Sequence, residues 1–189
     1  MANAATRWSL AGLGLTLLLV IFYFSTSTSF GEPKRSFSDL GGDFSLQSSG
    51  EDISLSSFEG NVTVMYFGYL KCERVCPASL GVMSSAFKRL DESELAQVEG
   101  LFVSVDPRDE AGQLAAYAAE SHPKITGAVG SEQQVADITE KYAVYFDVDS
   151  NDVDHAAQYF ILDKLGKLRK SMSPTTTPNE LAAQIREFL

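Results

Sequence analysis

Cysteine and histidine are scarce in this chain: its 189 residues hold two of each, Cys72, Cys76, His122 and His155. Chemistry that needs a thiol or an imidazole rests on these four side chains. Basic residues are also few, 15 Lys and Arg against 25 Asp and Glu, for a net charge of −10. A surface this negative repels phosphate backbones, so no nucleic-acid partner is expected. It would attract basic proteins or cations, although such charge most often serves solubility alone. No internal repeat is visible, and the length suits one ordinary domain plus an appendage rather than two domains. A hydrophobic content of 44% and an aromatic content of 11% suffice for a core and argue against disorder.

Charge is nearly missing from the first thirty residues, where Arg7 stands alone. Leu10 to Phe24 runs uncharged, short for a membrane span and long for a signal-peptide core. Trp8-Ser9 before it and the Ser/Thr run Ser25 to Ser29 after it bring the stretch to spanning length. Trp8 at one end and Phe22, Tyr23 and Phe24 at the other suit the two membrane interfaces. No alanine-type cleavage site follows, although Ser25-Thr26-Ser27 offers a weak one, and no cysteine lies nearby for a lipid. Residues 1–30 are expected to form one transmembrane helix that anchors the chain, with a cleaved signal peptide as the alternative. Arg7 favours an inside N-terminus, while Lys34 and Arg35 on the far side oppose it. Both readings export the rest of the chain to the periplasmic or an equivalent side. Residues 31–42, rich in Gly, Pro, Ser and charge, read as a linker, and 43–189 as the folded domain.

Within that domain, Phe44 to Leu46 and Ile53 to Leu55 alternate around Ser49-Gly50, predicting a hairpin. Val62 to Phe67 is an unbroken β-branched and aromatic run, as in a strand buried on both faces. Pro77 opens a helix carrying Leu80, Met83, Phe87 and Leu90 on one stripe. Leu101 to Val105 reads as a second buried strand. Asp109 to Ala119 reads as a helix whose leading acids suit its positive end, and Glu132 to Ala143 as a third helix. Ala157 to Leu162 and Leu168 to Ser171 form a strand pair around Lys164-Leu165-Gly166. Asn179 to Leu189 closes the chain as a helix capped by Thr177-Pro178-Asn179-Glu180. The order predicts an α/β fold: a thioredoxin-like central sheet flanked by helices, with an added N-terminal β-hairpin.

Two cysteines in an exported chain invite one structural disulfide. Their placement speaks against that reading, because a loop this small gains least from closure. They also lie between a buried strand and a helix N-terminus, where free amides and the macrodipole stabilise thiolate. A lowered thiol pKa serves redox exchange and metal binding alike. The Cys-x-x-x-Cys spacing separates the sulfurs more than Cys-x-x-Cys and eases their use as two ligands of one ion. Two thiolates leave most metal sites incomplete, so a third ligand is sought. His122, in Ser121-His122-Pro123 just past a helix, reads as an exposed or capping histidine. His155 precedes the strand expected beside the one ending at Phe67, and in a thioredoxin-like sheet those ends meet next to the active helix.

Phe67-Gly68-Tyr69 followed by Cys72-x-x-x-Cys76-Pro77 resembles the signature of the Sco/SenC family of copper-binding, cytochrome c oxidase assembly proteins. Ser104-Val105-Asp106-Pro107-Arg108-Asp109 and Val153-Asp154-His155 also look like family segments, as do Leu55 to Gly60 and Thr126-Gly127. The similarity runs in order from about residue 40 to 189. It implies one copper ion bound by Cys72, Cys76 and His155, and help in maturing the copper site of cytochrome c oxidase. The copper-bearing oxidase subunit, or another copper or thiol acceptor protein, would be the partner. Family members commonly carry Thr-His before the first cysteine and Pro-Asp between the pair. Here Leu70-Lys71 and Glu73-Arg74 stand instead, so the ligands persist on an altered rim.

Ligand chemistry agrees: two thiolates and an imidazole favour Cu(I), and hold Cu(II) with an added oxygen or water. Zinc accepts the same donors. Asp154 and Asp106 are either outer acids that orient His155 or a strand-start residue and a turn cap. Three functions compete. A metallochaperone needs His155; a membrane-anchored thiol-disulfide oxidoreductase, with Cys72 and Cys76 as its redox pair, does not. Peroxide reduction leaves the second cysteine and His155 without a role. The anchor has its own check: the mass of membrane-extracted protein is expected to include residues 10–24. Loss of the first thirty or so residues would establish the signal peptide instead.

Overall fold

The computed structural model describes residues 36–148, the backbone of 153–155, and 157–189. The anchor expected over residues 1–30 lies outside them. No helix of the described residues is long and apolar enough to cross a membrane. Phe37–Leu189 form one compact unit.

The N-terminal hairpin consists of β1 (Ser45–Ser48) and β2 (Glu51–Ser54), antiparallel with Ser48 opposite Glu51. Ser49 and Gly50, at φ 49° and 87°, make the two-residue turn with both central residues left-handed, which matches the twist of paired strands. The main sheet comprises β3 (Val62–Gly68), β4 (Val98–Ser104), β5 (Ile125–Ala128), β8 (Tyr159–Leu162) and β9 (Leu168–Met172), in the order β5-β4-β3-β8-β9. β3, β4 and β5 run parallel, and β8 and β9 are antiparallel additions on the other side. β3 is buried at all seven positions, as its apolar run requires.

Alternation along β3 divides the core. Val62, Val64 and Tyr66 join Leu80, Met83, Phe87, Leu114 and Leu181 on one face. Those partners come from α1 (Val75–Phe87), α3 (Ala111–Ser121) and α5 (Pro178–Arg186). Met65 and Phe67 join Leu46, Val135, Ile138 and Tyr142 on the other face, from the hairpin and α4 (Glu132–Tyr142). The result is a mixed α/β fold with a central sheet, helices on both faces and an extra hairpin. Capping follows the sequence signals. In α5 the Thr177 amide donates to the Glu180 carboxylate at 2.8 Å and the Glu180 amide donates back to Thr177 Oγ1 at 3.3 Å.

Several expectations change. β5 supplies a strand that the sequence reading passed over, because Ile-Thr-Gly-Ala is short and only half apolar. The short helix α2 (Glu92–Leu95) and the ribbon of β6 (Phe146–Val148) with β7 (Val153–His155) were also missed. α3 begins at Ala111, so Asp109 lies before it and is engaged elsewhere. α1 begins at Val75, two residues ahead of Pro77, and so takes Cys76 into its first turn.

Gly127 explains how β5 fits. A Cβ there would sit 2.4 Å from the backbone oxygen of Leu114, so only glycine lets α3 lie this close to the strand. Gly127→Ala is expected to destabilise the domain by about 1–3 kcal/mol through forced separation. The check is the midpoint of chemical denaturation; an unchanged midpoint would contradict the close packing.

Candidate functional site: a buried thiol pair at a helix N-terminus

β3 ends at Gly68 and the chain turns through Tyr69, Leu70 and Lys71 before α1. The Cys72 amide donates to the Tyr69 carbonyl at 3.3 Å, which tightens the turn. Arg74, at the N-cap of α1, makes no side-chain cap bond. Cys72 Sγ takes over that work, accepting the Cys76 amide at 3.2 Å. A sulfur thus satisfies one of the free amides of the first turn, at the positive end of the helix dipole.

Both cysteines are free thiols in the core, Cys72 8% exposed and Cys76 0%. The difference decides access: whatever enters the site meets Cys72 first. Cys76 Sγ rests on the end of β3, 2.6 Å from where a Cβ on Gly68 would stand. Glycine in Phe67-Gly68-Tyr69 therefore leaves room for the sulfur. The expectation that the helix N-terminus lowers the thiol pKa is corrected for Cys76. Burial pushes that thiol well up, and its hydrogen bond with Cys72 adds to the effect. The Tyr69 backbone and the Tyr66 hydroxyl pull the other way and lose. The cause is the apolar wall of Phe102 and the α1 core residues, which leaves a thiolate little solvation.

A clamp from the neighbouring strand holds the cysteine loop. Asp109 Oδ2 accepts the Leu70 amide at 2.8 Å and the Ser104 hydroxyl at 2.7 Å. The Val105 amide donates to the Gly68 carbonyl at 2.8 Å and joins the same two segments. Burial raises the Asp109 pKa, against the pull of those two hydrogen bonds. Asp106, weighed as an outer acid or a turn cap, is 2% exposed and grips Arg108 at 2.7 Å. It also accepts the Arg108 amide at 2.9 Å, so the turn-cap role is the one seen. Burial pushes its pKa up, but the Arg108 contacts and charge outweigh that and leave it lowered. The sequence marks Asp109 as a helix-start acid and as part of the family-like segment Ser104 to Asp109, without this contact. The signal for its true role is that Leu70, in a turn after a strand, needs an acceptor for its amide.

The structure brings Cys72 and Cys76 together. His155 is the last residue of β7, with its backbone opposite Phe146, and its side chain lies outside the described residues. Its chain position is constrained nonetheless. β8 pairs Tyr159 with Tyr66, two residues before Gly68, and four residues of chain reach at most about 14 Å. Among the described residues no cluster of three His, Cys, Asp or Glu could hold a metal ion. His122 is the C-cap of α3, as one of its two readings has it, but it is buried rather than exposed, at 8%. Its Nδ1 accepts the Lys124 amide at 3.2 Å and its ring meets Phe87 edge-on at 5.3 Å. Burial, then Lys88 and Lys124, lower its pKa and keep it neutral.

The clamp gives a local prediction. Asp109→Ala should cost about 1–3 kcal/mol by stranding the Leu70 amide. Amide exchange at Leu70 should accelerate far more than at Val64 in mid-strand, and Asp109→Asn, which keeps an oxygen, should do less. Equal protection of Leu70 in wild type and the Ala variant would remove Asp109 from this role.

Known proteins place these features in a lineage. A SCO2-like protein of Rickettsia conorii is 32% identical over 156 residues, 78% of this chain and 76% of its own length. Protein sco1 of Schizosaccharomyces pombe is 31% identical over 159 residues, which span 79% of this chain but only 60% of the yeast protein. The copper-bound structure of Bradyrhizobium japonicum ScoI is 30% identical, covers 79% of this chain and 99% of its own, and superposes with a TM-score of 0.71. A family model described as SCO1/SenC matches residues 32–189. With the thiol pair at the head of α1 and the thioredoxin-like sheet beneath it, the chain belongs to the SCO1/SenC family.

Proposed function

We propose that this protein is a copper metallochaperone that carries one copper ion on Cys72, Cys76 and His155 toward the copper site of cytochrome c oxidase. The observation that carries the reading is the pair of free, adjacent sulfurs, one at the head of α1 and one behind it. Such a pair offers two soft, buried donors and leaves a third position for an imidazole, a set that suits Cu(I). Burial of Cys76 supports cargo binding in a further way. A thiolate there is costly alone, and a bound cation offsets the cost. The copper in the related ScoI structure supports the choice of metal. The domain would work on the exported side of a membrane, held there by residues 1–30.

The same sulfurs support a second reading as a thiol-disulfide oxidoreductase. Cys72, the more exposed, would attack a partner's disulfide and release one partner thiolate. Cys76 would then attack the Cys72 sulfur, release the second thiolate and leave Cys72–Cys76 oxidised. Both readings use one site, so the metal-loaded and disulfide forms exclude each other.

Copper stoichiometry and competition affinity separate the readings, on reduced chain, oxidised chain, and Cys72→Ala, Cys76→Ala and His155→Ala. Reduced wild type should bind one ion, while oxidation or loss of any ligand should weaken binding sharply. Asp154→Ala should cost about 10- to 100-fold at most. Unaltered affinity in His155→Ala, with disulfide reduction intact, would favour the oxidoreductase. Unaltered binding after oxidation would put the copper elsewhere.

A further inference from the structure

Leu165 is the most exposed large apolar side chain of the described residues, at 77%. Nothing in the fold asks for it. It sits in the turn that joins β8 to β9, and Asp163 and Gly166 build that turn. The Gly166 amide donates to the Asp163 carbonyl at 2.8 Å, and Asp163 Oδ1 accepts the Leu165 and Lys167 amides at 2.9 and 3.0 Å. Gly166 takes the left-handed φ of 72° that closes it. A polar residue at 165 would serve the turn as well, so an apolar side chain stands in solvent that folding does not use.

The turn is also basic, in a chain whose net charge is −10. Residues 163–170 carry Lys164, Lys167, Arg169 and Lys170 against Asp163 alone. Three of those cations have partners within the domain: Lys164 with Gln97 and the Leu189 carbonyl, Arg169 with Asp163, and Lys170 with Gln184. Lys167 is exposed, two residues from Leu165. Lysines on an edge strand discourage pairing with a second sheet, but Lys167 precedes β9. The turn lies at the end of the sheet opposite the thiols. β8 runs antiparallel to β3, with Tyr159 opposite Tyr66 and Leu162 opposite Thr63, so the turn follows beside the start of β3 whereas Gly68 ends it. The chain enters the domain at that same end: a Cβ on Gly41 would stand 3.1 Å from Leu168 Cβ, and Phe37, 44% exposed, comes shortly before it.

We infer that the β8–β9 turn rests on the membrane surface, with Lys167 against anionic phospholipid headgroups and Leu165 in the boundary between headgroups and acyl chains. This rests on the reading of residues 1–30 as an anchor. Residues 31–36 are all that separate residue 30 from Phe37, and such a stretch reaches at most about 25 Å. The end of the domain that carries Phe37 and the turn is therefore the end kept near the bilayer. One leucine and one lysine would hold little in free solution. A tether this short makes the contact intramolecular, and a weak site is then occupied. A strand of the length of β3 spans about 20 Å, so the docked domain presents Cys72 and Cys76 away from the membrane, where a partner's exported portion would meet them.

The test uses the full chain with Trp8→Phe, which removes the single tryptophan. It carries either Leu165→Trp or, as a control at a second exposed apolar position, Tyr145→Trp. Each protein is reconstituted into vesicles of phosphatidylcholine and phosphatidylglycerol, both brominated along the acyl chain, and the vesicles are recovered by flotation. Fluorescence of the Leu165→Trp protein should be quenched several-fold more than that of the Tyr145→Trp protein. Replacing the phosphatidylglycerol with phosphatidylcholine, or adding Lys167→Glu, should cut that quenching at least by about half. Equal quenching of the two proteins in floated vesicles would overturn the docking and leave the anchor standing. Quenching of the Leu165→Trp protein that ignores both lipid charge and Lys167→Glu would also overturn it, as the work of the introduced indole. A chain missing from the floated fraction would remove the anchor, and the docking with it.

Discussion

The sulfur of Cys76 lies against the backbone of Gly68, at a distance that no side chain on residue 68 would allow. That contact is where sheet, helix and chemistry meet. It seats the first turn of α1 directly over the end of β3, so the helix cannot tilt away without exposing the sulfur. It brings Cys72 to the rim, where its Sγ caps the helix in place of the Arg74 side chain. The rest of α1 follows from the same seat, with Leu80, Met83 and Phe87 falling into the core cluster of β3.

Two electrostatic effects meet at the head of α1. The helix end offers amides and a positive dipole, which Cys72 uses. Cys76 lies buried in the first turn of α1, and there burial outweighs the hydrogen bonds that favour its thiolate. Helix-terminus effects at exposed sites are worth about 0.3–1 kcal/mol, whereas burying an unpaired charge costs several times more. A site built this way holds its inner sulfur protonated until a cation or a disulfide removes the need for charge.

The loop between strand and helix is held from outside rather than by its own sequence. Leu70-Lys71 replaces the commoner pair of the family, yet the Leu70 amide is anchored by Asp109 from beyond β4. Lys71 is exposed and acts on Asp106 and Asp109 only through its charge. Because the clamp grips a backbone amide, it tolerates the altered side chains. The altered rim of Lys71, Glu73 and Arg74 faces solvent.

Local pattern disclosed the hairpin, the buried strand β3, the helix α4, the capped helix α5, and the thiols between strand and helix. Those features are local: alternation, capping residues and unbroken apolar runs declare themselves within a few positions. The edge strand β5 did not, because four half-apolar residues become a strand only when β4 offers them a ladder. The ribbon of β6 with β7 was hidden for the same reason. The burial of His122 depended on Phe87, thirty-five residues earlier in the chain. The true use of Asp109 required Leu70, thirty-nine positions away. The sequence by itself determined which groups could do chemistry, since it offers only two thiols and two imidazoles. Only the tertiary structure decided their state, because desolvation and backbone clamps arise from distant segments that folding brings into contact.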